Sequence, residues 1–518
     1  MAENFNENEQ DELELERRRK AAAKRRRKAK KRRKRLIKRA LIFAVLVVLL
    51  IIVIVCLVKV TGKNKTAVES SSESVSTEAS SESESSVESS AETSTDTNDT
   101  KTALLASAKE RAQTYDYDAA ISMLQGYSNQ NDADIAAAIS EYTSARDACV
   151  TVDVSTVPHI FFHSLINDSR GFIVSDQVTE GRVTANNAAM CTVDEFDHVL
   201  ECMYEAGYVM ITLDDMVTEN EDGTFTANTN IKLPADKKAF LMSEDDLSYY
   251  HAYGENGAQG YADKLVLDEN GEVKAQYVDP DGNTLIGDYD MVPRLETFIK
   301  NHPDFVYHDA RPTIALTGYN GIFGYVTNDY YANGGDYENL SNTQIQWLES
   351  HPDYDYDTDC AEAKKIADAL KAQGWTFASH TYGHLDASSQ SLEALQRDNE
   401  RWKTCVGAFI GDTNKIIFAF GADIGAASNY TMDNEKYAYY KSEGFDIFCN
   451  CDGTLGWTQI TSDYVRTGRF AIDGFTLYQA ITPDGNSYNR CSSNYEALGV
   501  KDIASWFDKN RTTPIDSE

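Results

Sequence analysis

The sequence predicts an α/β fold for most of this chain, arranged as a barrel or as an open parallel sheet. From about residue 150 onward, short apolar runs alternate with amphipathic stretches, which is the pattern of repeated strand–helix units. Polar clusters directly follow two of the apolar runs, as expected where parallel strands end at a shared edge. The predicted strands are residues 159–163, 208–213, 239–242, 313–317, 376–379, 416–420 and 445–448, and the predicted helices are 193–206, 291–301, 360–373, 392–409 and 434–442.

The charge of the chain is divided unevenly between its N-terminus and the rest. Residues 1–39 contain 17 Lys and Arg against 7 Asp and Glu, whereas the remaining residues contain 32 against 75. So acidic a folded part repels nucleic acid, and we therefore expect no nucleic-acid partner. The eight cysteines beyond residue 60 lack the CxxC spacing of a structural zinc site, and their pairing stays open.

An apolar run at residues 40–58 contains no charge and would be about 28 Å long as a helix, at roughly 1.5 Å per residue. That length matches the hydrocarbon core of a bilayer. A cleaved signal peptide is the alternative, but no small-residue cleavage site follows the run. The basic block at 17–39 favours a cytoplasmic N-terminus, and its alternative is a nucleic-acid patch. We predict a basic cytoplasmic tail at 1–39 and one transmembrane helix at 40–60, which contacts membrane lipid and leaves the rest extracellular.

Two further segments separate this predicted anchor from the α/β region. Residues 61–101 are dominated by Ser, Glu, Thr and Asp, a composition that cannot bury enough apolar surface to fold, so we predict a disordered linker. Residues 102–150 carry apolar side chains at helical spacing, which predicts a helical hairpin or stalk. The α/β domain then spans 151–518. Its stretch around residues 281–283 predicts an inserted β-hairpin.

The clearest candidate site combines two segments that each follow a predicted strand. His380 and His384 are four residues apart in the sequence HTYGH, so both imidazoles can face one metal ion. Asp245 and Asp246 end the sequence SEDD, for which the alternative is a solvated acidic turn. Because strand ends in an α/β barrel share one bowl, Asp246, His380 and His384 would converge there. One carboxylate and two imidazoles suit Zn²⁺ or a similar divalent metal, and Asp245 would remain available as a base.

Four segments of the sequence can each be compared with a known motif. They are VPHIFFH at 157–163, SEDDL at 243–247, HTYGH at 380–384 and IFAFGAD at 417–423. They resemble the VPVLMYH, TFDDG, H[S/T]xxH and FAYPYG motifs of the polysaccharide deacetylase family, also called carbohydrate esterase family 4. The histidine motif matches fully, the TFDDG motif keeps its two aspartates, and the FAYPYG motif lacks its proline pair. The resemblance covers about residues 155–480.

This resemblance implies a distorted (β/α) barrel, here preceded by the transmembrane helix and the helical hairpin. It also implies a divalent metal and the removal of acetyl groups from a polysaccharide such as peptidoglycan or an exopolysaccharide. By the same resemblance Asp245 is the catalytic base, and Asp246, His380 and His384 are the metal ligands. The alternative is a catalytically impaired, deacetylase-like protein that binds carbohydrate or acts as a scaffold at the cell surface. A phosphoesterase is less favoured because acidic surroundings disfavour phosphate.

Two residues that act in this family have no direct counterpart in the sequence. The family's late histidine acid is missing, since no histidine follows His384, and its third motif here lacks the arginine that orients the base. Arg466 and Arg469 lie downstream and could supply a cation or contact the substrate. His159 and His163 could line the cleft, contacting the substrate or replacing the acid, or could simply pack beside a strand.

Overall fold

The structure is a computed structural model that describes residues 92–251, 255–425, 428–483 and 486–511. The chain divides into two compact units, and the barrel lies in the one made of Asp99–Ala332 and Asn342–Glu518.

Seven parallel strands close into a barrel at the centre of this unit. Each strand pairs with the next one along the chain, and the seventh pairs with the first. The closed ring of parallel strands surrounded by helices confirms the predicted α/β class and the distorted (β/α) barrel. The strands are β1 (His159–Phe162), β2 (Lys238–Asp245), β3 (Thr313–Leu316), β4 (Thr376–Ser379), β5 (Lys415–Ile417), β6 (Ile447–Cys451) and β7 (Val465–Ala471).

Six of the seven barrel strands overlap predicted strands, and the exceptions have physical reasons. The predicted strand at 208–213 is Tyr208–Met210, which pairs with the beginning of β2 and, through Met210, with Val306, and it stays outside the ring. The strand β7 was not predicted because two arginines interrupt the apolar pattern of its sequence, VRTGRFA. Both arginines are nevertheless buried, since each has a carboxylate partner: Arg466 pairs with Asp423, and Arg469 pairs with Asp245.

Helices cover the outside of the barrel and begin at side chains that cap them. Thr192 and Glu195 form a reciprocal capping box, and Asp290 and Ser391 accept backbone N–H groups at two other helix starts. The helices are Glu92–Gln113, Tyr117–Gln125, Ala133–Ala148, Glu180–Ala189, Val193–Glu205, Met291–Asn301, Asn342–Ser350, Tyr356–Ala372, Leu392–Trp402, Ala408–Ile410, Glu435–Ser442, Gly474–Ile481, Asn486–Ala497 and Ile503–Trp506.

Alternating side chains of the barrel strands divide the core into an outer and an inner layer. On β2, Phe240 and Met242 point outward and join one buried cluster with residues of the surrounding helices. Leu241 joins a second cluster, which includes Ala315 and Ala378 of the next two strands. Above this apolar inner layer, β2 carries the polar residues Ser243 and Asp245, so the interior becomes polar toward the carboxyl ends of the strands.

Short strands outside the barrel include the predicted insertion. Val273–Val278 and Thr284–Gly287 pair as the expected antiparallel hairpin, and Lys264–Leu267 adds a third strand. Asp279 accepts the backbone N–H of Asn283 across the hairpin turn. The remaining short strands are Val150–Thr151, Val217–Glu219, Phe225–Ala227, Lys232–Leu233 and Thr458–Ile460.

The segment predicted as a helical hairpin contains three helices, which end at Gln113, Gln125 and Ala148. The first of them begins at Glu92, so residues 92–101 of the predicted disordered linker are helical. Just after this helix, the Tyr115 hydroxyl donates to the carbonyl oxygen of Asp304 at 2.8 Å. This contact fixes the helical segment against the domain.

The predicted single-pass membrane localisation is corrected by the structure. Across the part of the chain that the structure describes, no helix is long and apolar enough to cross a bilayer. The longest helix described there, Glu92–Gln113, is rich in Thr, Asp and Lys, whereas a span needs about 20 predominantly apolar residues. The predicted tail at 1–39 and transmembrane helix at 40–60 lie outside the described residues. The described residues therefore give no support to the predicted membrane-lipid contact or extracellular location.

Candidate metal and catalytic site

A cavity of about 560 Å³ opens at the carboxyl ends of the barrel strands. This is the end of the barrel where side chains from several strands and their following loops meet. The cavity collects residues that are more than two hundred positions apart in sequence. Its polar and ionisable lining residues include His163, Asp245, Asp246, Tyr250, His380, His384, Arg469 and Asp473.

Asp246, His380 and His384 form one cluster in this cavity, as the sequence predicts. Each offers one ligand atom, and these atoms lie within 4.8 Å of one another. The Nε2 atom of His384 is 3.4 Å from Oδ2 of Asp246. One carboxylate oxygen and two imidazole nitrogens are a donor set that suits a borderline divalent cation, so the residues present fit such an ion.

The orientation of His380 leaves one ring nitrogen free to face the cluster. Its Nδ1 lies 2.7 Å from the carbonyl oxygen of Ile417, so Nδ1 carries the proton and donates it. The Nε2 lone pair is then available as a metal ligand. Burial lowers the pKa of His380 below its usual range, which favours the neutral imidazole that a ligand must be.

The backbone is strained at the cluster. Asp246 has φ 61°, Thr381 has φ 61° and His384 has φ 51°, a left-handed region that residues other than glycine rarely adopt. Such conformations cost free energy and persist only where the surroundings impose them. Here they turn the side chains of Asp246 and His384 toward the same point.

Asp398 holds the loop that joins the two histidines. Its carboxylate accepts the backbone N–H of Tyr382 at 2.7 Å and that of Gly383 at 2.8 Å. Burial raises the pKa of Asp398 to about 6 although both N–H groups favour its ionised form. The residue lies on the following helix, Leu392–Trp402, so helix and loop are fixed to each other.

A second contact orients Asp246. The Tyr250 hydroxyl donates to Oδ1 of Asp246 and lies 2.9 Å from Oγ1 of Thr317. This leaves Oδ2 of Asp246 directed at His384. Burial raises the pKa of Tyr250 well above its usual value, so the phenol keeps its proton and acts as a donor.

Asp245 points into the barrel and is held by Arg469. Nη1 of Arg469 donates to Oδ1 at 2.8 Å and Nη2 donates to Oδ2 at 2.9 Å, with both side chains buried. Burial alone would raise the pKa of Asp245, but the Arg469 guanidinium and then the His380 imidazole lower it to about 2. Asp245 is therefore ionised at neutral pH, and the Arg469 guanidinium fixes both of its oxygens.

His163 and Asp473 lie on the wall of the same cavity. Within the described residues, Nδ1 of His163 is buried and has no hydrogen-bond partner. The Asp473 side chain caps the helix Gly474–Ile481, and burial raises its pKa. The His163 imidazole can accept or donate a proton, and no group in the described structure hydrogen-bonds to its Nδ1.

The other two candidates from the sequence do not line the cavity. His159 is fully buried inside the barrel, between Oγ1 of Thr467 at 2.9 Å and Oγ of Ser243 at 3.1 Å. Arg466 pairs with Asp423 and lies against the ring of Tyr430. Arg466 and Arg469 are three residues apart on β7, so they project from opposite faces of the strand and only Arg469 reaches the interior.

Aromatic side chains that were not predicted from the sequence form part of the cavity wall. Phe420 is 70% exposed, has φ 57°, and meets the His384 ring edge-on at 4.4 Å between ring centroids. Tyr250 and Tyr319 stack on each other with centroids 5.1 Å apart. The position of Phe420 within the FAYPYG-like segment was the one available signal for its place at the site.

No family model matches the chain, and no curated protein matches it. One similar solved structure is the Streptococcus pyogenes deacetylase PplD in complex with acetate, with 15% identity, a TM-score of 0.31, and coverage of 65% of this chain and 100% of that one.

Proposed function

We propose that this protein is a metal-dependent deacetylase that hydrolyses acetyl groups from an N-acetylated polysaccharide of the cell wall or capsule. One observation carries the proposal: the Asp245–Arg469 pair and the Asp246, His380 and His384 cluster line the same cavity. A fixed carboxylate beside a set of metal-ligating side chains supports metal-assisted hydrolysis of an amide or ester, in which the carboxylate acts as the base.

In this proposal Asp246, His380 and His384 hold a divalent cation, with Zn²⁺ the best match to their donor atoms. When bound, the metal supplies Lewis acidity, which polarises the acetyl carbonyl and makes the attacking water more acidic. The residues of the chain provide the rest. Asp398 and Tyr250 keep the ligands oriented, through the histidine loop and through Oδ1 of Asp246 respectively.

Asp245 accepts the proton of the attacking water in the proposed reaction. The water oxygen forms a bond to the acetyl carbon, and the bond from that carbon to the sugar nitrogen then breaks. The departing amine needs a proton, and we assign its delivery to His163, because this imidazole lines the cavity and has an unengaged Nδ1. His163 would thereby replace the family's late histidine.

The shape of the cavity favours a sugar as substrate. Phe420 and the stacked pair Tyr250 and Tyr319 present aromatic faces or edges to the opening. Pyranose rings have one apolar face of C–H groups, which packs on such side chains. The acidic balance of the chain beyond residue 39 also suits an uncharged substrate whose deacetylated product is cationic.

The test measures acetate release by the purified protein. Substrates are peptidoglycan, chitin oligomers and poly-N-acetylglucosamine, each with added Zn²⁺ and with a chelator. We expect zinc-dependent release, a loss of at least a hundredfold in Asp245→Asn, and no loss in the matched control Asp281→Asn, which changes an exposed turn residue of the insertion. Equal activity of the two variants would refute the assignment of Asp245.

A protein that binds glycan without turnover is the second candidate, and one observation favours it. Arg469 engages both oxygens of Asp245 and lowers its pKa to about 2, which makes the carboxylate a weak base. This candidate predicts that the protein is retained on an insoluble glycan and that no acetate appears at any pH.

A further inference from the structure

A polar network inside the barrel connects His159 to the ion pair of Arg469 and Asp245. Nη1 of Arg469 donates to Oγ of Ser243 at 3.1 Å as well as to Asp245. The same Ser243 oxygen lies 3.1 Å from Nε2 of His159, whose Nδ1 lies 2.9 Å from Oγ1 of Thr467. His159, Ser243 and Thr467 are fully buried, and Arg469 and Asp245 are buried beside the cavity that they line.

The roles of donor and acceptor in this network follow from counting protons. Arg469 has no acceptor, so Ser243 Oγ must accept from it. The Ser243 proton then has to be donated elsewhere, and its other hydrogen-bond partner among the described residues is Nε2 of His159. His159 Nε2 is therefore the acceptor, and His159 Nδ1 carries the proton that is donated to Thr467. One tautomer of a neutral imidazole satisfies every group.

The environment of His159 keeps it neutral. The side chain is fully buried on β1, and both burial and the Arg469 guanidinium lower its pKa well below the usual value. A protonated imidazole would have no lone pair for Ser243. The imidazole thus serves as a fixed acceptor that holds the Ser243 O–H in the rotation that directs a lone pair of its oxygen at Arg469.

We infer that His159 is a positioning residue for the reaction: through Ser243 it fixes the Arg469 guanidinium, and through Arg469 it fixes the carboxylate of Asp245. The inference rests on the proposed function for its consequence in turnover, but the network itself is a property of the folded chain. Without His159 the Ser243 hydroxyl loses its acceptor and can rotate. Arg469 then keeps its bonds to Asp245 but loses an anchor that sets the plane of the guanidinium.

Two isosteric substitutions separate the halves of the network. In His159→Gln the side-chain oxygen can take the place of Nε2 and accept from Ser243. In His159→Asn the amide can take the place of Nδ1 and donate to Thr467, but nothing reaches Ser243. We expect the Gln variant to keep kcat within about threefold of the natural protein and the Asn variant to lose about tenfold, with KM and Zn²⁺ affinity unchanged in both. Equal kcat values for the two variants would overturn the inference.

A double-substitution test distinguishes positioning from a general structural role. In a Ser243→Ala background, His159→Asn should cause no further loss of kcat, because the residue acts through Ser243. A further tenfold loss in that background would contradict the inference. The midpoint of urea unfolding should be similar for His159→Asn and His159→Gln, and a kcat difference that merely follows a stability difference would also contradict it.

The metal-free protein provides a readout that does not depend on activity. Imidazole ¹⁵N spectra of the natural chain should show His159, identified by its loss in His159→Gln, as the Nδ1-protonated tautomer from pH 5 to 8. The Nε2-protonated tautomer, or a charged ring in this range, would overturn the inference even if acetate release is observed. If the spectra agree and no glycan is deacetylated, the proposed function fails while the network stands.

Discussion

Replacement of Arg469 by methionine tests the most buried ion pair of the candidate site. The Arg469 side chain is 1% exposed and the Asp245 side chain is 3% exposed, and two hydrogen bonds join them. Removing one partner of such a pair leaves an uncompensated charge in the interior, which costs roughly 3–5 kcal/mol of unfolding free energy. The exposed pair Arg111–Asp309 is the matched control, since Arg111→Met should cost below about 1 kcal/mol.

The double substitution identifies the cause of the loss. In Arg469→Met the damage comes from the charge left on Asp245, so adding Asp245→Asn should recover part of the lost stability. Urea denaturation of the natural protein, the two single variants and the double variant gives the coupling free energy directly. Strictly additive losses of stability, or an Arg469→Met variant whose free energy of unfolding lies within about 1 kcal/mol of that of the natural protein, would contradict the predicted coupling between Arg469 and Asp245.

The pH dependence of the free energy of unfolding gives the sign of the contribution of the Arg469–Asp245 pair. In the natural protein the pKa of Asp245 is lowered from 3.8 to about 2, so the pair contributes stability above pH 4 that is lost as the pH falls toward 2. At 1.36 kcal/mol for each pKa unit this contribution is about 2 kcal/mol. In Arg469→Met burial acts on Asp245 without its cation and raises the pKa, so the variant should become relatively more stable as the pH falls from 7 to 4.

Three further predictions concern the metal cluster and the cavity wall. Calorimetric titration with Zn²⁺ should show tight binding to the natural protein and none to His384→Ala. The control variant His198→Ala changes an exposed residue and should bind Zn²⁺ as the natural protein does. Equal binding by both variants would contradict the ligand assignment. In acetate-release kinetics, Phe420→Ala should raise KM for a polymeric substrate about tenfold at unchanged kcat, whereas Met432→Ala, also exposed, should change neither; an unchanged KM would exclude a stacking role for Phe420. Burial raises the pKa of Asp398 from 3.8 to about 6, so protonated Asp398 contributes to the free energy of unfolding below pH 4 and this contribution is lost as the pH rises through 6. In urea denaturation, Asp398→Asn should therefore lose less stability between pH 4 and 6 than the natural protein does.

The sequence predicted the barrel where apolar runs were continuous and failed where charges interrupt them. β4 has the sequence TFAS and coincides with its prediction residue by residue. β7 carries Arg466 and Arg469 within seven residues, and a buried arginine is recognisable only when its partner is known. Those partners, Asp423 and Asp245, are 43 and 224 positions away.

The candidate site was predictable to the extent that its residues lie in local motifs. The spacing of His380 and His384 and the adjacent aspartates gave the cluster that the structure assembles. The residues that orient it were not predictable, because Tyr250 and Asp398 act through single contacts that leave no spacing pattern. Face selection on a strand also requires its register, which is why Arg466 and Arg469 were not distinguished.

The proposed function is tested most directly by acetate release from N-acetylated glycan by the purified protein, measured with Zn²⁺ and with a chelator. We expect release that requires the metal. We also expect Asp246→Asn and Asp245→Asn both to abolish release, while only Asp246→Asn weakens Zn²⁺ binding. Release that persists in the presence of the chelator, or in Asp245→Asn, would contradict the proposed function.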